Sequence, residues 1–276
     1  MEIKMWQQLL DIEGWIFMNK LQQAFSKEKA FIAFITGGDP DLDTTEALIR
    51  EMAEAGADII EIGIPFSDPT AEGAVIQAAN ERALKAGCTV DKLFAMIGRV
   101  RKNVATPLVF LTYANPVFSY GKERFMKRCQ ALQIDGMIIP DLPFEEKEEF
   151  ADVCTEHGVD LISMIAPTSK ERITMIAREA KGFLYCVSSL GVTGVRTEIK
   201  TDIGEMVAIA KEASNIPCAV GFGISTPEQA AKMADISDGA IVGSAIVKLV
   251  EKHGKGCLPV VREYVKQMKQ AVVCIR

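Results

Sequence analysis

DIIEIGIPFSDPTAEG, from Asp58 to Gly73, is the stretch on which the reading of the fold turns. Ile59, Ile60, Ile62 and Ile64 form a short, almost wholly apolar β-branched run, the pattern of a strand covered on both faces in a parallel sheet. One carboxylate, Glu61, sits inside it. Period-2 alternation places Glu61 on one face with Ile59 and Gly63, and Ile60, Ile62 and Ile64 on the other. A lone buried carboxylate either finds partners or keeps its proton through a raised pKa, which is how a protein makes a general acid or base. Pro65 and Pro69 then break the pattern, and a loop carries Asp68 and Glu72 before a helix starts near Ala74. Three carboxylates are thus expected at the carboxyl end of one strand. From the strand alone, a structural Glu paired with a neighbouring Lys or Arg is an equal alternative.

The 276 residues allow one large α/β barrel or two ordinary domains. With 49% hydrophobic and 25% charged residues the composition is globular. A net charge of -6 and a pI near 5.2 argue against nucleic acid as a partner. No apolar run reaches membrane-spanning length. The seven cysteines are odd in number, widely spaced and without a CxxC pair, as expected for reduced thiols of a cytoplasmic protein. His157 and His253 are the only histidines, and neither sits in a ligand cluster, so a Ser-His-Asp triad or a His-based metal centre is not expected.

Residues 1–17 differ from the rest: they hold both tryptophans, Trp6 and Trp15. They read as an N-terminal extension, either upstream of a natural start at Met18 or a short docking helix. From residue 18 to 276 the pattern is regular. Buried-strand runs occur at residues 30–36, 59–64, 108–113, 136–139, 161–165, 183–187, 218–221 and 239–242. Helical spacing lies between most of them, at residues 44–55, 123–132, 145–157, 170–180, 203–214 and 227–233. Eight strands alternating with helices and no dividing linker predict a single-domain (β/α)8 TIM barrel. An open doubly wound sheet is the alternative, weakened because GGDP rather than GxGxxG follows the first strand.

Barrel active sites lie at the carboxyl ends of the strands. GFGIS (residues 221–225) follows the seventh strand, VGSAI (242–246) the eighth, and a helix is expected to begin near Ser244. Such glycines admit an anion to backbone N–H groups at a positive helix end, so a phosphate site is predicted there. Tight turns alone are the competing explanation. SSLGVTG, after the sixth strand, has the composition of a lid.

Several long motifs resemble those of the tryptophan synthase alpha subunit family, in its order and spacing: FIAFITGGDPD, GADIIEIGIPFSDPTAEGAVIQAAN, FLTYANPVF, IIPDLP, CVSSLGVTGVR, VGFGIS and AIVGSAIV. The resemblance covers nearly everything from Met18 onward. It implies a TIM-barrel carbon-carbon lyase that cleaves indole-3-glycerol phosphate to indole and glyceraldehyde 3-phosphate by a retro-aldol reaction. It also implies no cofactor in this chain, and a pyridoxal-phosphate (PLP) beta subunit that takes the indole in a cytoplasmic alpha2beta2 heterotetramer.

By the same resemblance Glu61 is the catalytic acid/base, Glu72 the carboxylate that holds the indole N–H, and Tyr185 a neighbour of Glu61. Phe34, Leu111 and Tyr113 would wall the indole pocket. Gly194, Phe222, Gly223, Gly243 and Ser244 would cradle the phosphate, and Thr193 would bond Asp68 on loop closure. Asn115, Pro116 and Asp141 would face the beta subunit. The chain departs from the family's familiar pattern at two places: Glu72 stands where Asp is usual, and Ala74 where Pro is common. The extra methylene moves the carboxylate by about a bond length and a half, and a misplacement near 1 Å can cost ~10²-fold in rate. A non-catalytic barrel regulating the beta subunit, another phosphate-binding barrel enzyme and a stand-alone indole-releasing enzyme remain alternatives.

Overall fold

The computed structural model describes residues 19–187, 203–221 and 223–274. Nine parallel strand pieces form one sheet: β1 (Ala30–Thr36), β2 (Ile59–Gly63), β3 (Leu108–Leu111), β4 (Gly136–Ile138), β5 (Asp160–Leu161), β6 (Met164–Ile165), β7 (Leu184–Val187), β8 (Cys218–Gly221) and β9 (Gly239–Val242). Their order, β5-β4-β3-β2-β1-β9-β8-β7-β6, begins and ends on pieces only two residues apart in the chain. The ring therefore closes through the segment 160–165. Its first half pairs with β4 and its second with β7, and Ile162 N–H donates to the Met137 carbonyl while Tyr185 N–H donates to that of Ser163. Eight strand positions result, as the alternation predicts, with the fifth split in two.

The side chains sort as a barrel requires. Ile32, Ile59, Val109, Ile138, Ile162, Tyr185, Ala219 and Ile241 pack together inside the ring. Phe31, Ile60, Ile62, Phe110 and Leu184 pack outward against the helices. The alternation read from the sequence of β2 thus holds, with Ile59 inside and Ile60, Ile62 and Ile64 in the outer layer. At the amino-terminal end the four-residue helix Lys20–Gln23 inserts Leu21, fully buried, into the inner cluster beside Phe183 and Ile162. The interior is floored there.

Crossovers carry more helix than the alternation demands. Helices Ala74–Lys85 and Val90–Val100 both lie between β2 and β3, and Ala114–Tyr120 and Lys122–Ala131 both lie between β3 and β4. The expected helix over residues 145–157 is a 3-10 turn, Phe144–Glu146, followed by an α-helix, Glu148–Glu156. After β9 come Ser244–His253 and Leu258–Val273. The last of these buries Val261, Val265, Met268 and Val272, spaced to make one apolar stripe. Helix starts follow ordinary capping: Asp41 accepts from Thr44 N–H at 2.7 Å, and Thr226 and Gln229 form a capping box around Pro227, the first residue of its helix.

Candidate active site

Glu61 stands in the middle of β2, paired with Phe34 of β1 on one side and Val109 of β3 on the other. Its carboxyl points into the barrel and is 1% exposed. Among the described residues neither oxygen has a hydrogen-bond partner. Burial alone pushes its pKa from the usual 4.5 to about 8. The alternative of a structural Glu paired with Lys or Arg therefore finds no support among the described residues. Tyr185, from β7 directly across the ring, is close enough that the Glu61 charge adds to burial in raising its phenol pKa, burial being the larger cause. Two small positions make room for these rings. A Cβ on Gly221 would meet the Tyr185 hydroxyl at 2.6 Å, and one on Gly63 would meet the tip of Phe34 at 2.8 Å.

Glu72 ends the loop after β2, just before the helix Ala74–Lys85, and is buried. Asn80, two turns into that helix, donates Nδ2–H to Glu72 Oε2 at 2.6 Å, and Gln77 Nε2 donates to the Glu72 main-chain carbonyl at 2.8 Å. Tyr113, from the end of β3, hydrogen-bonds the same carboxyl, and its hydroxyl also accepts from Ala71 N–H at 3.2 Å. Burial raises Glu72 to about 7, against the lowering effect of Asn80 and then Tyr113. A solvated loop charge is ruled out by this burial. Tyr113, 1% exposed and tilted against Phe66 at 5.5 Å between ring centroids, is a brace behind Glu72.

Phe34 packs with Ile76, Ala79 and Val247, and Leu111 reaches both this cluster and the inner barrel cluster. Flat apolar surface thus lies beside the two carboxyls. Across the same end of the barrel, Gly223 follows β8 with a left-handed φ of +74°. Gly243 precedes the helix Ser244–His253, which has no side-chain cap and no acidic residue in its first turn. These are the features of an anion-binding helix start.

Not every expected residue joins this group. Asp68 is exposed and accepts from Ser67 Oγ at 2.5 Å, so of the three loop and strand carboxylates only Glu61 and Glu72 are buried together at this end. Thr193, Gly194 and Phe222 lie outside the described residues, as does the extension at residues 1–17. Asn115 is exposed and Pro116 half-buried, while the exposed Asp141 accepts from Ala114 N–H at 3.0 Å and so ties the loop after β4 to the helix after β3.

Asn80 is a residue the sequence reading missed. It shares the apolar face of its helix with Ile76, Ala79 and Ala83, and an amide on such a face is the signal that singles it out. Thr36, at the end of β1, was missed too: it is 2% exposed with no partner for its hydroxyl among the described residues.

Residues 19–273 match the family described as tryptophan synthase alpha chain. A tryptophan synthase alpha chain of Lacticaseibacillus casei is 47% identical, over 93% of this chain and 97% of that one. One from Geobacter sulfurreducens is 50% identical, over 82% of this chain and 86% of that one. Among solved structures, tryptophan synthase of Mycobacterium tuberculosis superposes with a TM-score of 0.84 at 32% identity, covering 92% of this chain and 98% of that one. The alpha subunit of Legionella pneumophila gives 0.82 at 34% identity, with 92% and 98% covered. With this barrel and these motifs, the chain belongs to the tryptophan synthase alpha chain family, lyases that cleave indole-3-glycerol phosphate in tryptophan biosynthesis.

Proposed function

We propose that Glu61 carries both proton transfers of the cleavage and that Glu72 holds the substrate's ring nitrogen. The observation that carries this reading is the inward-facing, unpartnered Glu61 carboxyl, held protonated at neutral pH by burial. A neutral Glu61 gives its proton to the indole carbon that bears the glycerol chain, and the ring becomes cationic at nitrogen. Glu72, ionised above about pH 7, accepts the ring N–H and stabilises that charge. The Glu61 carboxylate then takes the proton of the neighbouring side-chain hydroxyl. The electrons of that O–H bond form the aldehyde, and the carbon–carbon bond breaks back into the ring, restoring neutral indole. Glu61 ends as it began, so the cycle needs no external acid or base.

Phe34 and Leu111 offer the ring its apolar walls, and Tyr185 sits beside Glu61. Gly223, Gly243 and Ser244 receive the phosphate, joined in this reading by Gly194 and Phe222. Thr193 closes on Asp68 over the bound substrate. No cofactor is needed in this chain. A PLP-bearing beta subunit, in an alpha2beta2 assembly in the cytoplasm, would take the indole through the surface of Asn115, Pro116 and Asp141. A barrel that only regulated its partner would have no use for a protonated carboxyl at its centre.

Indole release from indole-3-glycerol phosphate, with and without a beta subunit, tests the reading. Glu61→Gln keeps shape but not proton transfer, and is expected to lower the rate by about 10²–10⁴-fold. Glu72→Ala should also be severely impaired. Glu61→Gln turning over at the wild-type rate would refute the assignment.

A further inference from the structure

Glu72 is a longer side chain than the Asp usual at its position, with one more rotatable bond between backbone and carboxyl. An acceptor that must meet a ring N–H cannot wander by an ångström without loss of rate. Something must remove that freedom. We propose that Asn80 is the positioning residue for Glu72, its side-chain amide fixing the carboxylate in the orientation that receives the substrate's ring N–H. The proposal rests on the reading of Glu72 given above.

Three observations carry it. The Asn80 Nδ2 to Glu72 Oε2 contact is 2.6 Å, short for a hydrogen bond to a carboxylate, and both side chains are buried. Asn80 occupies a position where Ile76, Ala79 and Ala83 set an apolar face, so its amide is placed at a desolvation cost that an Ala or Leu would avoid. The helix that carries it is itself anchored. Arg82, two residues on, makes two 2.8 Å hydrogen bonds to the carboxylate of Asp39, in the loop after β1. Gln77 of the same helix holds the Glu72 carbonyl, so main chain and carboxyl of Glu72 are both gripped by one rigid element. Among the described residues Tyr113 is the titratable side chain that acts on Glu72, and Asp141 acts in turn on Tyr113. Glu61 and Asp39 are the other buried carboxyls at this end of the barrel, Asp39 being paired with Arg82.

The test is kcat and KM for indole release across pH 6 to 10, for wild type, Asn80→Ala, Asn80→Asp, Asn80→Ser and Glu72→Ala, with folding followed by circular dichroism. Loss of the amide donor should lower kcat at pH 7 by about 10-fold or more while changing KM by less than about 3-fold. It should also move the acidic limb of kcat upward, because the donor that favours the ionised carboxyl is gone. Asn80→Asp keeps the volume and adds a like charge, so its limb should lie higher still, and it keeps the test open if Asn80→Ala does not fold. Asn80→Ser, which retains a donor, should recover part of the rate. Variants with wild-type kcat and an unmoved limb, or with a loss of rate that is equal at every pH, overturn the proposal while a dead Glu72→Ala leaves the reading of Glu72 standing. A fully active Glu72→Ala overturns that reading itself.

Discussion

Glu61 titrates high because the barrel interior removes water from a carboxyl and, among the described residues, supplies no donor in exchange. Stability follows from this with a definite sign. The folded pKa, about 8, lies above the unfolded value near 4.5, so the folded state holds the extra proton between them. Stability therefore falls as pH rises through that window, by about 1.4 kcal/mol per unit at most, and stays reduced above it. Glu61→Gln, with no charge to bury, should unfold at a higher temperature than wild type at pH 9, with the difference vanishing near pH 4.5. Calorimetry at both pH values checks this. In the proposed mechanism activity depends on Glu61 and on a second carboxyl, Glu72. With Glu72 required ionised and Glu61 required neutral, kcat/KM should rise through about pH 7 and fall through about pH 8, a narrow bell whose midpoints belong to the pair. At this scale the sequence was most legible where one polar residue broke an apolar pattern, as Glu61 breaks its strand. Asn80 breaks its helix in the same way, yet an amide carries no charge and is easily passed over. Its partner eight residues earlier becomes visible only once the helix is built.

The helix Ala74–Lys85 is the element that joins barrel wall to chemistry. It carries Asn80, contributes Ile76 and Ala79 to the cluster around Phe34, and is tied by Arg82 to Asp39. Asp39 is 2% exposed, whereas Arg82 keeps partial contact with water, where it also meets Glu251. Arg82→Met should leave the Asp39 carboxylate buried and unpaired, at a cost of about 2–3 kcal/mol, discounted from a fully buried pair for the exposure of Arg82. Urea unfolding measures it directly. The start of this helix near Ala74 is legible from the break at Pro65 and Pro69 and the loop that follows it. Val90–Val100 is not implied by strand-helix alternation, since one crossover needs only one helix, and its five buried residues, Leu93, Phe94, Met96, Ile97 and Val100, are explained only by the outer layer they fill. The split of the fifth strand is hidden for a related reason. Residues 161–165 read as one mostly apolar run, and which neighbour each half of the segment 160–165 bonds is a property of the closed ring.

At the scale of the whole molecule the barrel is a vessel with a floor at one end and the two buried carboxyls Glu61 and Glu72 at the other. Leu21 closes the floor from a helix of only four residues, too short to be stable by itself, so the packing of this side chain, with the Asn19 hydrogen bond to Asp160, holds it in place. Leu21→Ala should cost about 2–5 kcal/mol, seen as a lowered midpoint of denaturation, with kcat little changed because the carboxyls sit at the other end. The eightfold pattern and the site at the strand ends were legible from periodicity and from the family motifs. The floor was not, since four residues give no periodicity to read. In the proposed mechanism Glu61 enters the reaction with its proton on. The most direct test is a carbon-13 NMR titration of protein labelled at the glutamate side-chain carboxyl, with Glu61→Gln identifying the resonance by its loss. A midpoint near 8 is the predicted result; a resonance that titrates in the ordinary carboxylate range would contradict it.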